Sequence, residues 1–234
     1  MSAPDRHDRP GSTVALVPLR DGVSGKSRLA SALDPGARRR LVAALARHVV
    51  AALLASDGVD RVLVVTADVP FAVETLDLPA RGGGLAVEVV PQPADKPGLN
   101  AALDVGREAA VARGAGRLLV AHADLPLLAP ADVAALLAAG ASAAADDAPP
   151  VVVATDRHLA GTNLLVLPAT AGFRFRFGEA SRAAHVAEAE RAGLRPVVVR
   201  RSGTAVDLDT IDDWGELPRA VRDRLRRGLD LPLP

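Results

Sequence analysis

The chain has no cysteine and no tyrosine, and only one tryptophan, one methionine and four phenylalanines among 234 residues. Lacking cysteine, it has no disulfide framework, zinc–thiolate site or thiol nucleophile. Lys plus Arg and Asp plus Glu number 28 each, so the formal charge is zero. A nucleic-acid surface needs a basic face and usually stacking aromatics, so nucleic acid is not expected as a partner. No run of about 18 apolar residues occurs. The longest candidate, LVAALARHVVAALLAS (41–56), is interrupted by Arg47 and His48 and reads as a helix of a soluble protein. The opening MSAPDRHDRPGS lacks the apolar stretch of a signal peptide. The expectation is a cytoplasmic protein with no membrane partner.

What is present is aliphatic. The hydrophobic fraction is 49%, mostly Ala, Val and Leu. Short apolar runs alternate with segments of helical periodicity. Strands are expected at 13–19, 61–67, 85–91, 117–123, 149–156, 162–168 and 195–200. Helices are expected at 37–56, 98–113, 129–140 and 181–193, with a last one over 209–228 that restarts near Pro218. The runs are apolar throughout rather than alternating, as strands covered on both faces are. The fold class is therefore α/β, a three-layer αβα Rossmann-like arrangement on a mostly parallel sheet. Residues 1–12 read as a disordered tail, 13–228 as a single domain and 229–234 as a C-terminal tail. AAGASAAADDAPP (138–150) reads as a surface loop.

In such sheets ligands bind beyond the carboxyl ends of the strands. Residues there come first: 20–28, Asp68, Asp124, Asp156 and 207–209. The stretch VPLRDGVSGKSRLA (17–30) contains a GKS that suggests a phosphate loop. The Walker A pattern requires glycine five residues before Gly25. That position is Arg20, so the loop departs from that pattern. It still suits phosphate, because Arg20, Lys26 and Arg28 bring three cations while Gly22 and Gly25 let backbone N–H groups turn toward an anion. Ser27 is a candidate cap for the short helix that follows.

A bound triphosphate normally brings Mg²⁺, held by one or two carboxylates and phosphate oxygens. Asp124 in HADLPLL ends a strand, and Asp207 and Asp209 in VDLDTIDDW share a face if extended. Asp209 competes as an N-cap of the last helix, which makes Asp207 the preferred second ligand. Asp212 and Asp213 read as first-turn charges that complement the helix dipole. A second anion site is suggested by Gly161–Thr162 and by Gly178 and Ser181 ahead of a helix. Ser181 competes as a plain N-cap, and His185 reads as a packed helix residue.

VPLRDGVSGKSRLA, GLNAAL, ADLPLL, GTNLLVLP, FGEASRAAH and DLDT occur in this order over roughly 13–215. Together they resemble the 2-phospho-L-lactate and phosphoenolpyruvate guanylyltransferases of coenzyme F-420 biosynthesis. The resemblance implies a nucleotide-diphospho-sugar transferase-like fold. It also implies that GTP and a phosphorylated three-carbon acid are the substrates, and that a downstream transferase accepts the product. By the same resemblance, Arg20, Gly22, Lys26 and Arg28 hold the GTP phosphates, with Lys26 and Asp124 catalytic. Gly98 and Asn100 lie at the nucleoside. Asp124, Asp207 and Asp209 are candidates for Mg²⁺, and Thr162, Gly178 and Ser181 hold the acid. Two positions depart from the family pattern: Arg20 stands where lysine is usual, and His122 where some relatives carry an acidic residue.

The implied nucleophile is a phosphate oxygen. A phosphomonoester has its second pKa near about 6, so it is already largely dianionic at neutral pH and needs no Ser–His or Cys–His pair. Phosphoenolpyruvate is the expected acid, from the GC-rich bacterial composition and family association. The alternatives are 2-phospho-L-lactate or 3-phosphoglycerate, a molybdopterin or sugar phosphate acceptor on the same fold, a P-loop NTPase, and a non-catalytic nucleotide-binding domain.

Overall fold

The structure is a computed structural model that describes residues 11–20, 27–77, 86–143, 148–231 and 233. Seven strands form one sheet: β1 (Ser12–Pro18), β2 (Arg61–Thr66), β3 (Val87–Pro91), β4 (Ala115–Ala121), β5 (Pro150–Thr155), β6 (Thr162–Pro168) and β7 (Arg195–Val199). Their spatial order is β3-β2-β1-β4-β6-β5-β7, and only β6 runs against its neighbours. Each expected strand is present, with ends shifted by up to two residues.

The helices are α1 (Pro35–Leu54), α2 (Val69–Leu76), α3 (Leu99–Ala112), α4 (Pro130–Ala143), α5 (Ser181–Arg191), α6 (Ile211–Glu216) and α7 (Arg219–Leu229). Side chains alternate across each strand, so each supplies both faces of the sheet. Val14, Leu16, Leu118, Val120, Leu165 and Leu167 pack with Leu103 of α3 and the buried ring of Phe173. Ala15, Val17, Leu119, Ala121, Leu164 and Val166 pack with Val49 and Leu53 of α1 and Leu136 of α4. Gly106 brings α3 close to the sheet: a Cβ there would lie 2.9 Å from Val65 Cγ2. The outer side of α1 carries a third cluster, in which Leu41 and Leu45 meet Trp214, Leu217 and Leu225. Leu231 and Leu233 are buried there too, so the chain packs beyond residue 228.

Two local expectations need correction, and a third holds. VPFAVETL folds as α2, a helix the periodicity did not reveal because it is short and carries Pro70 in its first turn. Asp68 is its N-cap, accepting the Phe71 N–H at 3.1 Å. Residues 138–143 continue α4 rather than opening a loop; 144–147 lie outside the described residues. The expected break near Pro218 is present, between α6 and α7.

Candidate active site

Because β6 is antiparallel, its first residue Thr162 lies at the same sheet edge as the carboxyl end of β4. That edge therefore gathers Leu19–Arg20 after β1, Gln92 after β3, His122–Asp124 after β4 and Thr162 at the head of β6. A cleft of about 350 Å³ opens there, lined among others by Leu19, Arg20, Gly98, His122, Asp124 and Asp209. A hollow of about 480 Å³ adjoins it over β2 and β3, bounded by Thr66, Asp68, Gln92 and Pro97 and sharing Arg20 and Gly98. Gly98 adopts φ +93° as the N-cap of α3 and supplies no side-chain cap, which leaves backbone at the cleft rim. The Gln92 amide holds this turn, donating from Nε2 to the carbonyls of Lys96 (2.7 Å) and Gly98 (3.0 Å).

The carboxylates come together through the backbone. The Leu208 N–H donates to the Asp124 carbonyl at 3.0 Å, drawing the 207–209 segment alongside Asp124. Asn163 on β6 donates to the Thr204 carbonyl at 2.8 Å and lies 3.5 Å from Asp207 Oδ1. Burial pushes the Asp207 carboxyl above its ordinary range, and the charges of Asp124 and Asp209 push it further. Asp209 lines the cleft and is not the helix cap. That place belongs to Thr210, whose Oγ1 accepts the Asp213 N–H at 3.2 Å while Asp213 Oδ2 accepts the Thr210 N–H at 2.7 Å. Asp213 thus closes a capping box and pairs with Arg157 at 2.7 Å, a more specific duty than a dipole charge.

Among the described residues no three His, Cys, Asp or Glu side chains form a ready metal site. The donor set nevertheless fits an oxygen-seeking divalent ion. Like-charged carboxylates crowd one half-buried spot, and Mg²⁺ commonly takes one or two of them plus substrate phosphate oxygens.

The second expected anion site is closed. Thr162 is 1% exposed and Ser181 3%. Ser181 Oγ accepts the Thr162 N–H at 2.9 Å, and His185 Nδ1 lies 2.9 Å from Thr162 Oγ1. The Arg176 N–H donates to His185 Nε2 at 3.0 Å. A backbone N–H can only donate, so Nε2 accepts and Nδ1 carries the proton that goes to Thr162. His185 is fully buried, as expected of a packed helix residue, and burial, followed by the His122 charge, lowers its pKa to about 4. Ser181 is not the cap of α5; Ala180 holds that position at φ +52° without a side-chain bond. The two hydroxyls are part of a buried knot, whereas Gly178 stays exposed at φ +138°.

The family model described as "Guanylyl transferase CofC like" matches residues 13–222. The chain belongs to this family. It is 41% identical over 218 residues to the phosphoenolpyruvate guanylyltransferase of Rubrobacter xylanophilus, covering 92% of this chain and 99% of that one. It is 31% identical to the 2-phospho-L-lactate guanylyltransferase of Methanothermobacter thermautotrophicus, covering 88% and 83%. In fold it is similar to a Desulfovibrio desulfuricans G20 crystal structure assigned to the nucleotide-diphospho-sugar transferases, with a TM-score of 0.70 at 15% identity over 95% and 97%. The fold is thus of the nucleotide-diphospho-sugar transferase type.

Of the residues singled out from the sequence of this CofC-like chain, Arg20, Gly98, Asp124 and Asp209 line the cleft and Asp207 adjoins it. Gly22, Gly25 and Lys26 lie outside the described residues. Arg28 is exposed on a 3-10 turn, Ser27–Leu29, anchored by buried Leu29. Asn100, expected at the nucleoside, clamps Phe177: its Nδ2 donates to the Phe177 carbonyl (3.0 Å) and its Oδ1 accepts the Phe177 N–H (2.9 Å). Asp156 shapes a turn, accepting the Ala160 N–H at 2.9 Å. Sequence reasoning missed Gln92 and Phe177. Gln92 directly follows a strand, the signal that picked out Asp124. The alternation of FRFRF pointed to an inward Phe177, but nothing in it named Asn100 as the partner.

Proposed function

We propose that this protein transfers GMP from GTP to the phosphate of a three-carbon acid, phosphoenolpyruvate, and releases pyrophosphate, as a step of coenzyme F-420 biosynthesis in the cytoplasm. The observation that carries this reading is the near-complete overlap, at 41% identity, with the Rubrobacter enzyme. The cleft supports it: cationic Arg20 and uncapped Gly98 face carboxylates across a space open to small polyanions.

In the reaction, an oxygen of the acid's phosphate dianion forms a bond to the α-phosphorus of GTP. The bond from that phosphorus to the bridging oxygen breaks, and pyrophosphate leaves with the electron pair. No proton has to move, so the protein's work is placement and charge balance. Arg20, Lys26 and Arg28 neutralise the triphosphate, and Gly22 lets the loop follow it. Asp124 with Asp207 or Asp209 would hold Mg²⁺, whose charge shields the two polyanions from each other. Of the residues expected to receive the acid, Thr162 and Ser181 are spent on the buried knot, and exposed Gly178 is the one left to do so. The product would pass to a downstream transferase.

The test is to incubate the protein with GTP, Mg²⁺ and either phosphoenolpyruvate, 2-phospho-L-lactate or 3-phosphoglycerate. Pyrophosphate release is followed, and the product is weighed by mass spectrometry. A guanylylated phosphoenolpyruvate is expected; GTP hydrolysis without an adduct would overturn the reading.

A further inference from the structure

Among the described residues, three lining side chains of the cleft can donate hydrogen bonds: Arg20, Gln92 and His122. Gln92 commits its Nε2 to the carbonyls of Lys96 and Gly98. The remaining described lining residues are apolar or acidic. A phosphate arriving beside Asp124 and Asp209 meets repulsion, so a donor on that side of the cleft has disproportionate weight. His122 is placed to be that donor. It follows β4 directly, and its backbone N–H is already bonded to the Asn163 carbonyl at 3.2 Å, so its ring is the part left to act. Nε2 is buried with no hydrogen-bond partner among the described residues. Leaving such a nitrogen unsatisfied costs about 1–3 kcal/mol. The other histidine of this region bears no such cost, since both nitrogens of His185 are bonded within the fold. The His122 ring is also held in place: it packs on Phe177 at 5.1 Å, and Phe177 is clamped through its backbone by Asn100.

We infer that His122 contacts the substrates directly, donating a ring N–H to a phosphate oxygen where nucleotide and acid meet. This rests on the guanylyltransferase reading. An imidazole carries at least one N–H in either protonation state, so the contact does not depend on titration. A ligand role toward a divalent ion is the rival. It is disfavoured because His122, Asp124 and Asp207 do not form a three-ligand cluster.

The test uses the full chain and starts with the wild-type assay; absence of any guanylylated product there overturns the function reading itself. Given an active wild type, His122→Phe keeps a ring against Phe177 and removes the donor, whereas His122→Gln keeps an N–H. The expected result is a fall of about 100-fold in kcat/KM for His122→Phe, with melting temperature and GTP binding near wild type, and recovery of at least about tenfold in His122→Gln. A raised KM for the acid would assign the contact to the acid's phosphate, and a lowered kcat alone to the transferring group. Activity of His122→Phe within threefold of wild type, no recovery in His122→Gln, or restoration by excess Mg²⁺ would each overturn the inference. Should His122→Phe fail to fold, His122→Leu against His122→Gln makes the same comparison.

Discussion

His122 and His185 pack on the same ring, Phe177, at centroid distances of 5.1 and 4.6 Å, yet they belong to different chemical surroundings. The region around His185 is dry and self-sufficient. Thr162, Ser181, Arg176 and both imidazole nitrogens satisfy one another, and the segment 173–177 is tied down by side chains of α3 and α5. The region around His122 is half open and electrostatically crowded, with Asp124 and Asp209 lining the same cleft and the Asp207 pKa pushed upward by burial and then by their charge. In the first region the Thr162 and Ser181 hydroxyls and both His185 nitrogens are answered by the protein. The second presents charged side chains to an open cleft. Residue type does not separate the two; partners do.

The largest expected effect breaks the open region. Asp124→Ala should lower turnover by at least about 10³-fold while leaving the melting temperature unchanged or raised, because it relieves repulsion on Asp207. Steady-state kinetics with calorimetry checks this, and near-normal turnover would remove Asp124 from the site. In the closed region, His185→Ala should cost about 3 kcal/mol in chemical denaturation, from the cavity and from the orphaned Arg176 N–H and Thr162 hydroxyl.

The acid side of the stability profile sharpens the contrast. His185 has a folded pKa of about 4 against an ordinary 6.5. Folding is therefore fully favoured above pH 6.5, and about 3 kcal/mol is lost as pH falls from 6.5 toward 4. The charged groups facing His185 are His122 and Glu188, and the stabilisation from Glu188, held near 2 by its hydrogen bond to Arg191, is lost only as pH falls below its ordinary 4.5. Denaturation midpoints between pH 7 and about 5 should thus decline in the wild type and stay flatter in His185→Phe. Parallel profiles would show that His185 does not carry the effect.

The smallest effect concerns the link between the regions. Asn100→Ala should cost about 2 kcal/mol by freeing the Phe177 N–H and carbonyl, while the KM for GTP changes less than about threefold. A tenfold rise in that KM with unchanged stability would instead return Asn100 to the nucleoside.

Much of the fold is legible in the residues. Uniformly apolar runs such as TVALVP and RVLVVT admit little but strands covered on both faces, and their alternation with helical periodicity leads to a three-layer sheet. Asp124 is legible too, since a carboxylate ending such a strand lies at the ligand-binding edge. The helix VPFAVETL escaped because eight residues hold too few turns for a periodicity to stand out from a loop containing proline.

The pattern along the chain thus settles which segments are buried strands and helices, at which edge the polar candidates gather, and which chemistries are absent for want of cysteine. These follow from local periodicity and composition. Tertiary structure alone decides the assignment of polar side chains. Asn100 meets Phe177 across 77 residues, Ser181 meets Thr162 across 19, and Thr210 rather than Asp209 caps α6. A hydrogen bond is satisfied by whichever partner the packed chain brings within about 3 Å, and spacing in the sequence does not encode that distance.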